Sequence, residues 1–270
     1  MTTDQIRIDE SQAGLQRLTA RFGGHAYDLH RHETYAVGLT LWGAQSFHYR
    51  GALQTSSAGQ VMVIHPDEAH DGHAGVDAGF AYRMLYVDPA AISAALGGSA
   101  APFVTEVVAD DAALARLLRE AFADFPRTLE PLAVDAVVAR LAELLAARSD
   151  APVRRRDAVA HRAANRAVRR AREFLVAEAP RTVASDELEK VSGLDRFALA
   201  RQFRAAFGTS PHRFQVGRRL ARAQSLIARG VALSEVAVAT GFADQSHLTR
   251  HFSARFGLTP GRWAALSRTA

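Results

Sequence analysis

Histidine is the residue type whose distribution in this 270-residue chain first suggests chemistry. Seven of the eleven histidines precede residue 74, and two of them, His30 and His32, are separated by a single residue. Side chains at i and i+2 of a β-strand point to the same side, so these two imidazoles would share one face. Together with His70 they offer three nitrogen ligands, which suit zinc, nickel or iron. The alternatives are a polar pocket that hydrogen-bonds an organic ligand, or histidines that simply line a loop.

Charge is divided unequally between the two halves of the chain. Residues 1–153 hold 11 arginines and 19 acidic residues, a net charge of −8, whereas residues 154–270 hold 22 basic and 9 acidic residues, a net charge of +13. This asymmetry indicates that the C-terminal half faces a polyanion. The chain has no cysteine, which excludes disulfides and thiolate metal sites. We expect neither a secretory signal nor a membrane helix, and a cytoplasmic location.

The N-terminal part has the pattern of short strands. Residues 35–41, 46–49, 61–64 and 82–87 are β-branched or aromatic runs of strand length, and turn residues separate them. Several short strands at regular spacing predict a small barrel or sandwich. We therefore expect a β-domain over residues 1–110.

Helical spacing begins after the last of these strands. Residues 111–125 and 131–148 predict two helices, and together they form a segment, 111–149, that we expect to couple or dimerise the protein. The apolar stripe of the second helix suits either a dimer seam or packing onto the chain's own sheet, and it consists of Val134, Val138, Leu141 and Leu145. Residues 150–164, rich in arginine and without an apolar period, predict a linker. Residues 165–270 contain only helix and turn patterns, so the fold class is α+β with two domains.

An internal repeat is the strongest feature of the C-terminal domain. Six residues recur 49 positions later in the same order: Leu199, Arg201, Phe203, Phe207, Gly208 and Pro211 become Leu248, Arg250, Phe252, Phe256, Gly257 and Pro260. Asp195 and Asp244 stand where each repeated helix would be N-capped, and the glycines and prolines would end it. Two helices joined by a tight glycine turn, the second with a free polar side, predict a helix-turn-helix in each unit.

Residues 165–265 resemble the DNA-binding domain of the AraC/XylS family of bacterial regulators. The match is carried above all by residues 235–252 and their continuation over 256–260, whereas the first unit departs from the family pattern at Glu189. The resemblance implies that the second helix of each unit enters a major groove, with the two grooves about one turn apart on one face of DNA.

The resemblance also implies which side chains contact DNA. In the first unit the base-reading candidates are Arg196, Phe197, Ala200 and Arg201, and in the second they are Gln245, Ser246, His247, Thr249 and Arg250. Arginine can bridge guanine O6 and N7 and glutamine can pair with adenine, whereas Phe and Ala reach only a thymine methyl. Arg204, Arg218 and Arg222 are assigned to phosphate contacts, which position the protein without reading sequence.

The N-terminal histidines resemble the two motifs of a cupin barrel, the usual sensor domain of the same family. Metal-binding cupins carry a glutamate where this chain has Ala36 or Val37, so a small-molecule pocket is preferred over a divalent metal at His30, His32 and His70. A barrel can hold one small ligand among its inward side chains. The effector-binding candidates are His30, His32, Tyr35, Trp42, Phe47, Tyr49, His70 and Tyr82.

These features together predict a sequence-specific transcription regulator and not an enzyme. Its expected partners are double-stranded DNA, a small-molecule effector, a second copy of the chain in a homodimer, and RNA polymerase. Two alternatives stay open at this point: a metal-dependent cupin enzyme that also binds DNA, and a regulator that binds DNA constitutively.

Overall fold

The computed structural model describes residues 4–9, 14–149 and 158–268, and the side chains of all of these except 158–165 and 268. It has an N-terminal β-domain and a C-terminal helical domain, as predicted. No helix within the described ranges is both long and apolar enough to cross a membrane.

The β-domain contains nine strands, all in antiparallel pairs. They are β1 Gln5–Ile8, β2 Leu15–Phe22, β3 His25–His30, β4 Tyr35–Tyr49, β5 Ala52–Ser57, β6 Val61–Ile64, β7 His70–Ala74, β8 Phe80–Val87 and β9 Val108–Ala109. The first half of β4 pairs with β6 and β8, and its second half pairs with β5 and β7. Strands β1, β2, β6, β8 and β9 form one sheet with the first half of β4, and β3, β5 and β7 form a second sheet with its second half, so β4 joins the two sheets into one cupin-like domain.

The four predicted runs lie in three strands, β4, β6 and β8, but the sequence pattern does not predict the other six. The predicted runs 35–41 and 46–49 are parts of the single strand β4. Strands β3 and β7 were missed because their histidines, aspartates and glycine lack strand propensity, and they form through pairing with each other and with β4. Tertiary contacts therefore override local preference where the histidines lie.

Three helices come after β8, with β9 between the first and the second: α1 Pro89–Ala95, α2 Ala112–Ala121 and α3 Pro131–Ala147. The predicted helix 111–125 is five residues longer than the observed α2. The apolar stripe of α3 is at most 6% exposed and belongs to one buried cluster with residues of α1, α2 and the sheet, within which α3 packs mainly against α1 and α2. Of the two alternatives for this stripe, the dimer seam is wrong because the stripe is covered within its own chain, and the expected packing is chiefly on α1 and α2 and not directly on the sheet.

The C-terminal domain consists of seven helices in the described part of the chain. They are α4 Ala158–Ala177, α5 Ser185–Ser192, α6 Arg196–Phe207, α7 Pro211–Ala228, α8 Leu233–Ala239, α9 Gln245–Phe256 and α10 Pro260–Arg268. Helices α5–α6 and α8–α9 are the two predicted helix-turn-helix units, and α7 connects them. The predicted linker 150–164 is wrong over residues 158–164, which are the start of α4, and residues 150–157 lie outside the described ranges.

The two domains share a hydrophobic core. One cluster of buried side chains includes Phe22 and Met84 of the β-domain together with Leu220, Phe252 and Trp263 of the helical domain. Because buried side chains of both domains form this one core, the helical domain is packed directly against the β-domain.

Polar contacts reinforce this docking at the end of α9. The amide of Asp28 donates to the carbonyl of Gly257 at 2.9 Å, and the amide of Arg31 donates to the carbonyl of Ala254 at 3.3 Å. The guanidinium of Arg255 lies 3.0 Å from the carboxylate of Glu33. The second recognition helix is therefore held directly by strand β3 and the residues after it.

Candidate functional site

The two recognition helices, α6 and α9, are built from the same local signals. The carboxylate of Asp195 accepts hydrogen bonds from the amides of Phe197 and Ala198, each at 2.9 Å, and that of Asp244 accepts one from the amide of His247 at 2.7 Å. Both helices end at a glycine with left-handed backbone geometry. The sequence therefore fixes where each recognition helix begins and ends.

The side chains predicted to read bases are mostly on the open faces of these helices. Arg196, Phe197, Ala200, Arg201, Gln245, Ser246 and Arg250 are exposed, whereas His247 and Thr249 are half-buried. The ring of His247 packs edge-on against Phe242, with centroids 5.5 Å apart, and lies 4.7 Å from the ring of His251. These packing contacts leave His247 less of its edge for a base than its neighbours have.

We expect Asp244→Ala to lower the free energy of unfolding by about 1 kcal/mol, because the amide of His247 loses its capping partner. Urea denaturation of the full chain measures this. The control is Asp186→Ala, which removes an exposed ion pair with Lys190 and an exposed charge in the first turn of α5 but no capping hydrogen bond, and should cost about 0.5 kcal/mol or less. Equal losses in the two variants would show that the cap does not stabilise α9.

The phosphate candidates do not share one location. Arg204 and Arg222 are exposed on the helical domain. Arg218 is also exposed by solvent accessibility, but part of its side chain lines a cavity between the domains, where partial desolvation, and secondarily the charge of Arg172, lower the pKa of its guanidinium. The phosphate role stays a prediction for all three arginines, and Arg218 has a second candidate role as a cation at this cavity.

The cavity lies between the β-domain and helices α6, α7, α9 and α10. Its empty volume is about 990 Å³, including the part open to solvent. Its apolar wall comes from Leu18, Phe207, Phe214, Phe256 and Trp263, and its polar lining from Gln16, His30, His32, Glu33, Thr34, Tyr86, Asp88, Thr209, Arg218, Gln224 and Arg255.

Several polar atoms of this lining are buried without a hydrogen-bond partner among the described residues. They are His32 Nε2, Thr209 Oγ1, Arg255 Nη1 and Trp263 Nε1. A buried donor or acceptor left unpaired costs about 1–3 kcal/mol, and native proteins contain few of them. Four around one cavity indicate that a ligand or ordered water supplies the missing partners.

Two opposite charges face each other at the cavity wall. Burial raises the pKa of Glu33 to about 7 and lowers the pKa of Arg255 to about 9, although the two side chains are 3.0 Å apart. Both shifts mean that each charged form is poorly solvated in the cavity. An anionic ligand would therefore find in Arg255 a cation with unused hydrogen-bonding capacity.

The three histidines singled out from the sequence do come together. His30, His32 and His70 are all buried, and their ring centroids lie 4.2 to 6.1 Å apart. Burial lowers the pKa of both His30 and His70, so these two imidazoles are neutral near pH 7. His30 and His32 line the cavity, and His70 packs beside them from β7.

The other five effector candidates lie away from the cavity lining. The hydroxyl of Tyr35 donates to the carbonyl of Pro102 at 2.6 Å, and Trp42 stacks under Arg21 on the surface. Phe47, Tyr49 and Tyr82 are core residues of the β-domain. None of the five lines this cavity: Trp42 is at the surface, and the other four are buried in the β-domain.

Residues that the sequence did not suggest complete the cavity. Glu33 follows the histidine pair directly, and Arg255 lies three residues after the buried Phe252 on α9. A charged residue on the buried stripe of an amphipathic helix is a signal that sequence reasoning can use. It identifies Arg255 as unusual, but it does not say which domain faces it.

Two family models match the sequence, one in each domain. A model described as an AraC-like ligand binding domain matches residues 12–142, and a model described as a helix-turn-helix domain matches residues 188–265. No protein with a curated description matches the sequence.

Solved structures of ToxT from Vibrio cholerae share the fold over nearly the full chain. One of them has a TM-score of 0.65 at 10% identity and covers 94% of this chain and 98% of its own. ToxT bound to an unsaturated fatty acid has a TM-score of 0.62 at 11% identity, with 98% of both chains covered. ToxT bound to (E)-4-(8-methylnaphthalen-1-yl)but-3-enoic acid also has a TM-score of 0.62, at 10% identity, and covers 97% of this chain and 99% of its own. Sequence identity of 10–11% shows that the two proteins share a fold and does not show that they share a ligand or a DNA site.

Proposed function

Since this chain belongs to the AraC/XylS family of DNA-binding transcription regulators, we propose that a carboxylate ligand in the interdomain cavity controls how its recognition helices meet DNA. The observation that carries this proposal is the set of unpartnered polar atoms that converge on a cavity between the two domains. Ligand pockets occur preferentially at domain interfaces, with few polar groups in an apolar wall.

The lining suits an anion with a large apolar part. Arg218 and Arg255 offer two cations, and Phe214, Phe256 and Trp263 supply aromatic surface. Guanidinium groups bind carboxylates through two parallel hydrogen bonds. ToxT is described as bound to a fatty acid and to an arylbutenoic acid, both of which combine one carboxylate with an apolar body. We propose the same class of ligand for this chain.

A ligand here would contact elements from both domains at once. Arg255 belongs to α9, the second recognition helix, and its ion-pair partner Glu33 belongs to the β-domain. A ligand carboxylate could replace Glu33 beside Arg255. The ion pair between the two domains would then be lost, and Arg255 would bind the ligand instead. Ligand shifts the DNA-binding equilibrium only if it binds the two arrangements with different affinity.

The proposal includes several properties of the regulator on DNA. The base-reading residues of α6 and α9 contact consecutive major grooves, and Arg204, Arg218 and Arg222 contact phosphates. The protein binds as a homodimer in the cytoplasm, contacts RNA polymerase and catalyses no reaction. Since the α3 stripe is covered within its own chain, a dimer would form through another surface.

We expect oleic acid to change the fluorescence of Trp263 saturably in the full chain carrying Trp42→Phe. That substitution leaves Trp263, which lines the cavity, as the single tryptophan. Arg218→Gln should weaken the apparent affinity about tenfold, because a charge-assisted hydrogen bond contributes about 1.5 kcal/mol or more. The matched control is Arg222→Gln, one turn further along α7 and exposed, which should bind oleic acid like the parent. Identical affinities in both variants, or no saturable change, would contradict the proposed ligand site.

A further inference from the structure

We propose that His30, His32 and His70 form a binding site for one divalent transition-metal cation at the wall of the interdomain cavity. The three side chains are between 3% and 8% exposed, and one imidazole nitrogen from each lies within 4.8 Å of the others. This site needs no ligand in the cavity, so it goes beyond the effector proposal and stands independently of it.

The second nitrogen of each ring is held by the backbone. His30 Nδ1 lies 2.9 Å from the carbonyl of Asp28, His32 Nδ1 lies 2.8 Å from that of Thr34, and His70 Nδ1 lies 3.0 Å from that of Glu68. In each case the carbonyl belongs to a residue two positions away. A carbonyl can only accept, so each Nδ1 carries the proton and each Nε2 keeps its lone pair. This is the arrangement in which metal-ligating histidines are oriented by their outer hydrogen bonds.

Of the three Nε2 atoms, that of His32 accepts no hydrogen bond from any residue in the described part of the protein. This nitrogen is also buried. An acceptor so placed is costly unless something binds it. A cation held by all three rings would satisfy His32 and give the same coordination to His30 and His70.

The spacing is close to what a metal requires. Bonds of about 2.1 Å in tetrahedral geometry put ligand nitrogens about 3.4 Å apart. Nitrogens now within 4.8 Å would have to approach by about 1.4 Å at most, which small rotations of the rings supply. Imidazole ligands favour zinc, cobalt, nickel or iron over magnesium or calcium.

Three protein ligands leave a fourth coordination position. His30 and His32 line the cavity, so a water or a ligand carboxylate oxygen bound there can complete the coordination. Of the charged side chains that act on the rings, Arg255 opposes a positive charge at His30, whereas the carboxylates of Glu68 and Asp71 favour one at His70. Ala36 and Val37, at the positions where metal-binding cupins carry a glutamate, are buried and apolar and cannot supply an oxygen ligand. The three histidines therefore offer nitrogen ligands only.

Metal stoichiometry of the full-length, tag-free chain tests the site. The protein is stripped with EDTA, loaded with Zn²⁺, passed through a desalting column and analysed by elemental mass spectrometry. Co²⁺ replaces Zn²⁺ in a parallel experiment, in which visible absorption reports four-coordinate geometry. His32→Gln and His70→Gln each remove one ligand. His73→Gln is the matched control, since His73 lies on the same strand as His70 but contacts the ring of His48 instead.

The expected result is one Zn²⁺ per chain in the parent and in His73→Gln, and loss of stoichiometric metal in both ligand variants. The thermal unfolding midpoint of the parent should rise with Zn²⁺, and that of His32→Gln should not. His70→Gln gives the same comparison if His32→Gln does not fold. Retention of metal in both ligand variants, or no stoichiometric metal in the parent, overturns the proposal.

Discussion

Gly257→Ala is expected to lower the free energy of unfolding by about 2–5 kcal/mol, because the new methyl group would collide with the β-domain. Gly257 has φ +65°, which costs alanine about 1–2 kcal/mol. A Cβ atom here would lie 2.6 Å from the carbonyl oxygen of Asp28 and 2.8 Å from His30 Nδ1. Overpacking of this kind adds about 1–3 kcal/mol. The substitution therefore tests whether α9 is docked on the β-domain.

Gly208 provides a matched control at the corresponding end of α6. Its φ is +74°, but a Cβ atom there would lie 3.5 Å from Pro89 Cγ, which is an ordinary contact. Gly208→Ala should cost only the conformational part, about 1–2 kcal/mol. Urea denaturation of both variants measures the difference. If the two glycines were equally sensitive, the second helix-turn-helix unit would not be docked in the way described.

Arg250→Ala is expected to weaken binding to the preferred DNA site by about 1–3 kcal/mol and to relax preference at one base pair. Arg250 is exposed on the outer face of α9, and its equivalent in the first unit, Arg201, is exposed on α6. Binding of the full chain to fluorescent duplexes that differ at single base pairs measures both quantities.

The control for Arg250 is Arg222→Ala. Arg222 is exposed on α7, outside both recognition helices. If Arg222 contacts a phosphate, Arg222→Ala should weaken binding to all sequences by a similar factor. The slope of the logarithm of the binding constant against the logarithm of salt concentration should become shallower by about one. A loss in Arg250→Ala that is the same for specific and random DNA would refute its role in reading bases.

The helical domain could be predicted closely because its signals are local. The repeat located both helix-turn-helix units, and Asp195, Asp244, Gly208 and Gly257 cap their helices as their residue types predict. Capping and helix termination depend on a few neighbouring residues, so one sequence suffices to recognise them. The AraC/XylS assignment, the fold class and the regulatory function followed from these motifs and are confirmed by the family matches.

The interdomain cavity, which we propose as the effector site, could not be predicted as a whole because two domains supply its lining. Glu33 and Arg255 are 222 positions apart in sequence, and nothing local says that they meet. Tyr35 and Tyr82 fit the pattern of a barrel pocket, yet they are buried core residues. Gly257 likewise reads as a helix terminator, whereas its second role is to let α9 approach the β-domain. These roles depend on which residues meet in the folded protein, and the periodicity of the sequence does not predict such contacts.

Hydroxyl-radical footprinting of the full chain, on a duplex selected from random DNA, tests the central claim most directly. Two recognition helices in consecutive major grooves predict two protected segments about 10–10.5 base pairs apart on one face of the duplex. Protection of the segment bound by the first unit should weaken selectively in Arg201→Ala, and protection of the segment bound by the second unit should weaken selectively in Arg250→Ala. A single protected segment, or uniform protection of every sequence, would contradict the claim that this chain reads DNA with two helix-turn-helix units.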